Sequence, residues 1–411
     1  MKLMNKKTMK CRFTGDSIPI IHSFGNQPIA NGFLKDRENN HEYFFEMSVA
    51  VNLENGLFQL VNQPDPSQMF HENYAFFSRT SNFMKIHFES VADEMLQILS
   101  RDNKNYESSF VIEVGSNDGV MLEHLVKNNV PCLGIEPSLN VAQESNKYGV
   151  ETISEFISSD LAEKIIQSND NADIIYAANV FCHIPDIDDL ARACSILLKD
   201  NGYLIFEDPY LGDVLEKVSY DQIYDEHVYL FNCNAVQNVF KKHGLTLFDC
   251  KPLNTHGGSM RYYLKKSVEV NSSDALNSQL LKEDQIGIMD AGSYEKFSSQ
   301  CEMSKIAFKE HLIKCKSNNE RVVGYGATSK STTILNYCDV GTDLIDFIVD
   351  TTPIKQNTYT PGKHIPVLPY EKFFPHPDTS VLFAWNHKEE ILRKEKDFSG
   401  KWITHLYQDF F

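Results

Sequence analysis

The sequence lacks long apolar runs and paired cysteines. No stretch of the 411 residues is apolar for long enough to cross a bilayer. The basic N-terminal segment, MKLMNKKTMK, is not followed by the apolar core of a secretory signal. The nine cysteines are scattered singly without a CxxC pair, as is typical of reduced cytosolic thiols. We therefore expect a cytoplasmic protein that contacts no membrane.

Positive charge is also scarce. The 39 Lys and Arg residues stand against 56 Asp and Glu residues, which gives a net charge of -17. Proteins that bind nucleic-acid duplexes need basic patches, so this composition argues against a nucleic-acid partner. The length exceeds that of one domain and suits two or three. Composition leaves monomer and homodimer equally open.

The strongest pattern in the chain lies at residues 110–136. A β-branched run, FVIEV, predicts a buried strand, and a loop with Gly115 and Gly119 follows it. An apolar helical segment and a second strand come next, and that strand ends at Glu136. Strand, glycine loop, helix, strand and acid form the nucleotide-binding half of a doubly wound α/β domain. An acid roughly 20 residues after the loop suits a ribose diol.

The charges in this loop indicate which ligand it binds. The spacing of its glycines matches neither GxGxxG nor a P-loop, and the loop carries Glu113 and Asp118, which would repel a pyrophosphate. S-adenosylmethionine (SAM) has a ribose, two cationic groups and no phosphate, so we predict it as the methyl donor. Asn179 follows the next predicted strand, at the same edge of the sheet. The predicted cofactor-binding residues are Glu113, Gly115, Asn117, Asp118, Gly119, Glu136, Pro137 and Asn179.

The densest cluster of ionisable groups is YDQIYDEH, residues 220–227. Burial of so many polar groups is costly, so we expect them to line a pocket in which His227 is a general base. His183 follows the strand predicted at 172–178, and His256 lies in a polar, glycine-rich turn at 254–261. The predicted catalytic residues are His227, Tyr224, Glu226, His183 and His256.

The opening pattern returns near the C-terminus. RVVGYGATSK, residues 321–330, reads as strand, glycine loop and helix start, and a strand predicted over 344–349 leads to Asp350. We interpret this as a degenerate internal repeat. The second loop has hydroxyls and a lysine but no acid, which suits a phosphate at a helix N-terminus. The predicted substrate-binding residues are Tyr74, Asn179, Tyr325, Ser329, Lys330, Asp350 and Lys355, with Lys330 on a phosphate.

Taken together, these motifs resemble the SAM-dependent sugar C-methyltransferases of deoxysugar biosynthesis. The matching motifs are EVGSNDG at 113–119, GIEP at 134–137, YDEH at 224–227, THGGS at 255–259 and GYGA with Lys330 at 324–330. The resemblance runs from about Cys11 to the C-terminus.

The resemblance implies an α/β chain with two doubly wound Rossmann-like domains. A small zinc-binding part would occupy residues 1–75, a class I SAM methyltransferase domain 76–270, and a similarly folded C-terminal domain for a nucleotide-linked keto-sugar 271–411. The sequence itself predicts residues before about 75 to be irregular. The implied chemistry is methylation of the sugar carbon next to a keto group, with His227 as the base.

Two departures from the family pattern matter. Thr14, Asn52 and Asn55 stand where the family has cysteine, so Cys11 is the one remaining thiolate. A structural zinc site takes four Cys or His ligands, and we therefore predict no metal. In the motif YDEH at 224–227, Asp225 replaces a histidine that is common in the family, which has a Tyr-His-Glu-His form of this motif. This replacement leaves the base in place but bears on substrate choice.

Three other functions remain open at this point. An O-methyltransferase on a sugar or small acceptor shares the SAM loop and can use the same histidine. A non-catalytic sugar-nucleotide-binding protein would bind the nucleotide but not SAM. An NAD-dependent enzyme is disfavoured by the acids in the first loop.

Overall fold

The computed structural model describes residues 7–38, 42–65, 78–80, 82–267 and 269–410, which contain three sheets of five, seven and six strands. The strands, in chain order, are β1 (Thr8–Lys10), β2 (Ser17–Pro28), β3 (Phe44–Asn52), β4 (Leu57–Leu60), β5 (Val111–Val114), β6 (Cys132–Ile135), β7 (Thr152–Ile153), β8 (Ala172–Ala178), β9 (Leu198–Pro209), β10 (Tyr229–Leu230), β11 (Leu245–Leu253), β12 (Ser259–Lys266), β13 (Val322–Tyr325), β14 (Ile348–Asp350), β15 (Thr358–Tyr359), β16 (Pro366–Pro369), β17 (Thr379–Leu382) and β18 (Lys401–Ile403). The α-helices are α1 (Asn82–Arg101), α2 (Val120–Lys127), α3 (Leu139–Asn146), α4 (Ser159–Ser168), α5 (Ile187–Leu197), α6 (Leu211–Lys217), α7 (Cys233–Lys241), α8 (Asp274–Ile286), α9 (Ala291–Ser317), α10 (Ser329–Tyr337) and α11 (Lys388–Lys394).

The N-terminal part is a β-sheet, so the prediction of an irregular segment is wrong. Strands β1 to β4 pair in chain order, and β10 from the middle of the chain pairs with β4. The pairing of β2 with β3 shifts register twice, between Ile20 and His22 and between Ser23 and Asn26. Such irregularities disturb the period of two by which a strand is recognised in a sequence.

Two similar turns of this sheet lie at the positions where the resemblance implies zinc cysteines. The N–H of Gly15 donates to the Cys11 carbonyl at 2.8 Å, and the N–H of Gly56 donates to the Asn52 carbonyl at 2.8 Å. The two glycines have φ values of +76° and +78°, which a side chain would strain. The turns CRFTG and NLENG are therefore two copies of one backbone shape.

Hydrogen bonds connect the two turns. Asn52 Nδ2 donates to Thr14 Oγ1 at 3.3 Å, and Gln59 Nε2 donates to Cys11 Sγ at 3.4 Å. Although burial raises the pKa of the Cys11 thiol, hydrogen bonds led by that from Gln59 lower it below its ordinary value. One thiol, one hydroxyl and two amides do not make the donor set of a structural zinc site.

The seven-stranded sheet has the order β11-β12-β9-β8-β5-β6-β7, in which β12 is antiparallel to both of its neighbours. Both of its faces are covered, because Ile112 and Val114 pack into one apolar cluster while Val111 belongs to another. Burial on both faces is what parallel strands in a doubly wound domain require. The doubly wound α/β fold predicted for this part of the chain is confirmed.

The six-stranded sheet repeats this plan with the order β15-β16-β14-β13-β17-β18. Its strands are parallel except for β15 at the edge. Val322 and Val323, which are neighbours in the sequence, pack into different clusters on the two faces. The repeat of the α/β fold is confirmed. The strand predicted over 344–349 is the shorter β14, because Leu344 and Ile345 form a turn with Gly341.

Helices α8 and α9 connect the two parallel sheets, as predicted for residues 271–318. The N-cap side chain of each helix accepts a backbone hydrogen bond. Ser273 accepts from the N–H of Leu276, and Asp290 accepts from the N–H of Gly292. Within the described ranges, no helix combines the length and the apolar character that crossing a membrane demands.

Candidate active site

The first glycine loop places two glycines where no other residue fits. Gly115 has φ +69°, and a Cβ atom there would lie 2.2 Å from Val180 Cγ2. Gly119 has φ +70°, and its Cβ would lie 2.9 Å from Ser145 Cβ. Both positions therefore combine a left-handed backbone with close packing, which only glycine accommodates.

Glu136 holds this loop to the strand beside it. Its Oε2 accepts from the N–H of Asn117 at 3.1 Å, and its Oε1 accepts from the N–H of Ser138 at 2.9 Å. Pro137 lies between Glu136 and Ser138 and has no N–H of its own. Asn117 has φ +47°, and its Oδ1 accepts from the N–H of Ser78 at 3.0 Å. The predicted residues of this loop thus lie together at the carboxyl ends of β5 and β6.

Buried oxygen atoms without a hydrogen-bond partner lie at the end of β5 and in this loop. Glu113 is 4% exposed, and burial, then Asp118, Glu136 and Glu207, raise its pKa well above the ordinary value. Within the described ranges, Glu113 Oε2, Asp118 Oδ1 and Ser116 Oγ are buried without a hydrogen-bond partner. Buried polar atoms are normally paired, so these atoms indicate the place of a ligand. A cation with hydroxyl and amino donors, such as SAM, fits them.

Asn179 lies across the loop from these acids. It ends β8 with φ +55°, and its N–H donates to the carbonyl of Glu207 at 2.7 Å. The Glu207 carboxylate accepts from Arg261 Nε at 2.9 Å and also pairs with His87. Burial raises the pKa of Glu207, but His87 and Arg261 lower it below the ordinary value. Glu207 is therefore a carboxylate whose charge is already compensated.

Sequence reasoning missed several residues of this region. Arg79 donates through its N–H to Asp118 Oδ2 at 2.9 Å, pairs with Glu123 at 2.5 Å, and lies 3.6 Å over the Tyr148 ring. His87 and Arg261 reach Glu207 from α1 and β12. No local pattern marks these three residues, because each acts on a partner far away in the sequence.

The hydrogen bonds of His227 determine its tautomer. Its Nδ1 lies 2.7 Å from the carbonyl oxygen of Gln222, which only accepts, so Nδ1 carries the proton. Its Nε2 lies 2.9 Å from the Tyr224 hydroxyl and therefore presents a lone pair to that group. Burial, then the charges of His183, Lys330 and His256, lower the pKa of His227 well below 6.5. The ring is neutral at pH 7, as a proton acceptor must be.

The other predicted histidines are part of the same cluster. The His183 ring stacks on that of His227 with centroids 5.4 Å apart, and burial lowers the pKa of His183 to about 4. His256 has φ +54°, and burial followed by the charge of Lys330 lowers its pKa to about 3. His183 and His256 are 73 positions apart in the sequence and lie in two loops. Both belong to the cluster around His227, as the sequence predicts, and both are neutral at pH 7.

Glu226 bonds to the N-terminal loop rather than to His227. Its Oε1 accepts from Asn31 Nδ2 at 2.8 Å, while both nitrogens of His227 have other partners. Burial raises the pKa of Glu226 above the ordinary value. The neighbouring Asp225 accepts from the N–H of Ala30 at 2.9 Å, and burial raises its pKa to about 8. The two acids therefore fasten the N-terminal loop to the catalytic segment.

The second glycine loop repeats the backbone contacts of the first. Asp350 Oδ2 accepts from the N–H of Ala327 at 2.6 Å, and its Oδ1 accepts from the N–H of Thr352 at 2.7 Å. Lys355 Nζ donates to the Ala327 carbonyl at 2.8 Å. The hydroxyl of Tyr325 donates to Glu395 at 2.8 Å inside the C-terminal apolar cluster. Asp350 and Lys355 thus lie at the loop, whereas Tyr325 points away from it.

Ser329 and Lys330 lie at the interface of this loop with the catalytic cluster. The Ser329 side chain is within hydrogen-bonding reach of Tyr224, and Lys330 is 8% exposed. The structure therefore brings Lys330 beside the predicted catalytic histidines rather than to a separate site. Tyr74, the remaining predicted substrate-binding residue, lies outside the described residues.

One group of potential metal ligands occurs in the described part of the chain. The ligand atoms of Cys182, His183 and His227 lie within 4.8 Å of one another. Both ring nitrogens of His227 already have partners, and a metal there would have to displace Tyr224 or Gln222. The cluster is therefore built for hydrogen bonding, and the prediction of no metal remains a prediction.

Comparison with known proteins finds two matching family models and a relative that aligns with most of the chain. Residues 83–249 match the family model described as "Methyltransferase domain", and residues 254–406 match "C-methyltransferase C-terminal domain". The chain is 29% identical over 403 residues to C-methyltransferase NovU of Streptomyces niveus, a match that covers 96% of this chain and 94% of that protein.

Two further similarities each cover less than half of this chain. Ubiquinone biosynthesis O-methyltransferase of Colwellia psychrerythraea is 25% identical over 192 residues, which cover 43% of this chain and 77% of that protein. Among solved structures, magnesium protoporphyrin IX methyltransferase of Synechocystis with bound SAH has a TM-score of 0.36 at 15% identity. That match covers 46% of this chain and 88% of the solved chain.

Proposed function

The chain is a SAM-dependent methyltransferase related to C-methyltransferases, and from this premise we propose that it methylates a carbon next to the keto group of a nucleotide-linked deoxysugar. SAM occupies the acidic first loop. The nucleotide of the acceptor lies along the second loop, with Asp350, Lys355 and Ser329 as its binding residues. We place the two substrates in residues 76–270 and 271–411, respectively.

The observation that carries this proposal is the state of His227. A carbon next to a carbonyl is acidic enough for a positioned neutral imidazole to deprotonate it. The Nε2 lone pair of His227 is fixed by the bond from Nδ1 to Gln222, and the pKa of the ring is low through burial. His227 therefore has the tautomer and protonation state of a general base.

The reaction then proceeds in two steps. His227 Nε2 takes the proton, which breaks the C–H bond and leaves an enolate. The enolate carbon attacks the SAM methyl group, so a C–C bond forms, the S–C bond breaks, and its electron pair stays on sulfur. The Tyr224 hydroxyl, bonded to Nε2 at 2.9 Å in the described state, turns to the enolate oxygen when the acceptor carbon approaches Nε2. Catalysis beyond proton transfer is mostly positioning.

The N-terminal sheet has a part in this site. Asp225 and Glu226 accept from Ala30 and Asn31, and the hydroxyl of Thr332 in α10 donates to the carbonyl of Ala30 at 2.8 Å. One N-terminal loop thus contacts both the catalytic segment and the helix of the second glycine loop. We infer that it keeps the two halves of the site in register.

Product NMR tests the proposal. With a nucleoside-diphosphate-linked keto-hexose and methyl-labelled SAM, we expect the new methyl signal at the high-field shift of a C-methyl group, coupled to carbon neighbours of the sugar ring. A signal at the low-field shift of a methyl ether would establish O-methylation instead. Turnover of SAM with neither signal on the sugar would overturn the acceptor class.

A further inference from the structure

Lys330 is held against the catalytic segment by the residues beside it on α10. Thr333 Oγ1 donates to the carbonyl of Ile223 at 3.0 Å, and Ser329 is within hydrogen-bonding reach of Tyr224. Lys330 and Thr333 are three residues apart, so they lie on the same face of the helix. Ile223 lies between Gln222 and Tyr224, the two groups that bond to His227. The first turn of α10 therefore directs Lys330 toward the base.

Lys330 is a buried cation without a close ion pair. Its side chain is 8% exposed, and no carboxylate oxygen of a described residue lies within the ion-pair distance of its Nζ. Burial lowers the pKa of Lys330 and the charge of Asp221 raises it. The two oxygens of Asp221 bond to His405 Nε2 at 3.0 Å and Trp385 Nε1 at 2.7 Å. A buried ammonium in this state is stabilised when an anion or a polarised oxygen binds to it.

The neighbouring histidines cannot supply the positive charge that an enolate needs. Burial lowers the pKa of His183 to about 4 and of His256 to about 3, so both are neutral at pH 7. The pKa of His387 is also below its ordinary value, through burial and then through Lys330. A positive charge aimed at the place where negative charge develops is among the strongest contributions to catalysis.

We propose that Lys330 is a catalytic residue whose ammonium group binds the carbonyl oxygen of the acceptor and stabilises the enolate, in place of the phosphate contact that the sequence predicts. This inference rests on the proposed function. The proton of the acceptor carbon still goes to His227, and Lys330 keeps its own proton throughout. The C-terminal part of the chain thereby contributes to the chemical step as well as to nucleotide binding.

The test separates the two roles of Lys330 by measuring chemistry at saturation. In deuterated water, with S-adenosylhomocysteine in place of SAM, wild type is mixed with a nucleoside-diphosphate-linked keto-hexose. Deuterium incorporation next to the carbonyl is followed at saturating sugar nucleotide. For Lys330→Met we expect the saturated exchange rate to fall by about 100-fold, as for the loss of one electrostatic donor. Affinity for UDP or dTDP alone should stay within about twofold of wild type, because no phosphate contact is lost.

The opposite result would establish the phosphate role. If Lys330→Met exchanges at the wild-type rate at saturation while affinity for the nucleoside diphosphate falls tenfold or more, the inference is wrong. Lys330→Arg retains the charge and should recover part of the exchange rate, which a purely structural role would not require. If wild type itself does not exchange, the proposed function fails and not this inference alone.

Two controls guard against misfolding. Lys363→Met removes a lysine of the same sheet region that pairs with Asp339 at 2.5 Å on the surface, and it should leave the exchange rate unchanged. SAM affinity, measured by calorimetry, reports on the intact first loop in every variant. A Lys330→Met protein that does not bind SAM is replaced by Lys330→Gln, to which the same two outcomes apply.

Discussion

The two glycine loops share one backbone plan and carry opposite charges. The N–H of Gly115 donates to the Ile135 carbonyl at 2.7 Å, and that of Gly326 donates to the Val349 carbonyl at 2.9 Å. In each loop the acid at the end of the next strand accepts one N–H from the loop and one from two residues beyond itself. In the first loop, the N–H groups of Asn117 and Ser138 donate to Glu136. In the second loop, the N–H groups of Ala327 and Thr352 donate to Asp350.

The side chains set the difference between the loops. Glu113 and Asp118 lie in the first loop with no cation on their free oxygens within the described ranges, whereas Lys330 and Lys355 accompany the second. The backbone plan thus fixes where a ligand lies at a sheet edge, and the charges fix which ligand it is. We expect variants of the two loops to test this division between backbone plan and charge.

The largest effect is expected from filling the space at each glycine. Gly115→Val places a side chain where even a Cβ would lie 2.2 Å from Val180, so SAM binding should fall below detection. Gly326→Val, whose Cβ would lie 2.9 Å from Ala384, should instead remove binding of UDP or dTDP. Calorimetry with both ligands on both variants is the measurement. Loss of the same ligand in both variants would refute the division.

The next effect is expected from the paired acids. Glu136→Ala should weaken SAM binding by about 2 kcal/mol, on the order of hydrogen bonds to a charged group. Asp350→Ala is the matched control, because Asp350 has the same two backbone bonds in the second loop. It should weaken nucleotide binding and leave SAM binding unchanged. Unchanged SAM affinity in Glu136→Ala would remove Glu136 from the site.

A smaller effect is the dependence of SAM binding on pH. The raised pKa of Glu113 means that the ligand-free loop holds a proton there, and a bound cation favours the ionised form. SAM binding should therefore release up to about one proton, and affinity should rise as pH increases through the raised pKa of Glu113. Calorimetry in two buffers of different ionisation enthalpy measures the proton count. Proton uptake, or affinity that falls with pH, would contradict this account, and Glu113→Gln should abolish the dependence.

The smallest effect is expected in the N-terminal sheet, which has its own pair of like motifs. The turns at 11–15 and 52–56 meet through Asn52, Thr14, Cys11 and Gln59 rather than through four thiolates. A chelator such as EDTA should leave the melting temperature unchanged, and elemental analysis should find no stoichiometric zinc. Stoichiometric zinc would mean that other ligands exist. The variant with cysteine at 14, 52 and 55 should bind zinc, because the turns already converge.

Much of the fold was predictable because its signals are local. The strands β5, β6, β8 and β13 are short apolar runs before glycines or polar residues, and their ends place Gly115, Glu136, Asn179 and Gly326 at sheet edges. The N-terminal sheet was missed because bulges in β2 disturb its alternation. Local pattern therefore predicts an element, and irregular pairing hides one.

The position of the predicted site residues follows from the sequence, whereas their contacts do not. The histidines predicted to be catalytic, Tyr224 and the acids of the first loop lie where their motifs place them. The partner of Glu226 and the place of Lys330 depend on contacts between distant segments, such as Asn31 with Glu226 and Thr333 with Ile223. No spacing in the sequence encodes such contacts, because they exist only after three sheets have packed together.

Both loops serve one base, and a single exchange measurement tests that central claim most directly. Wild type and His227→Ala are each mixed with a nucleoside-diphosphate-linked keto-hexose in deuterated water, with S-adenosylhomocysteine present. The account predicts that wild type incorporates deuterium next to the carbonyl and that His227→Ala does not, although both ligands still bind to the variant. Exchange by His227→Ala at the wild-type rate would contradict the account and would move the base elsewhere, with His183 as the next candidate.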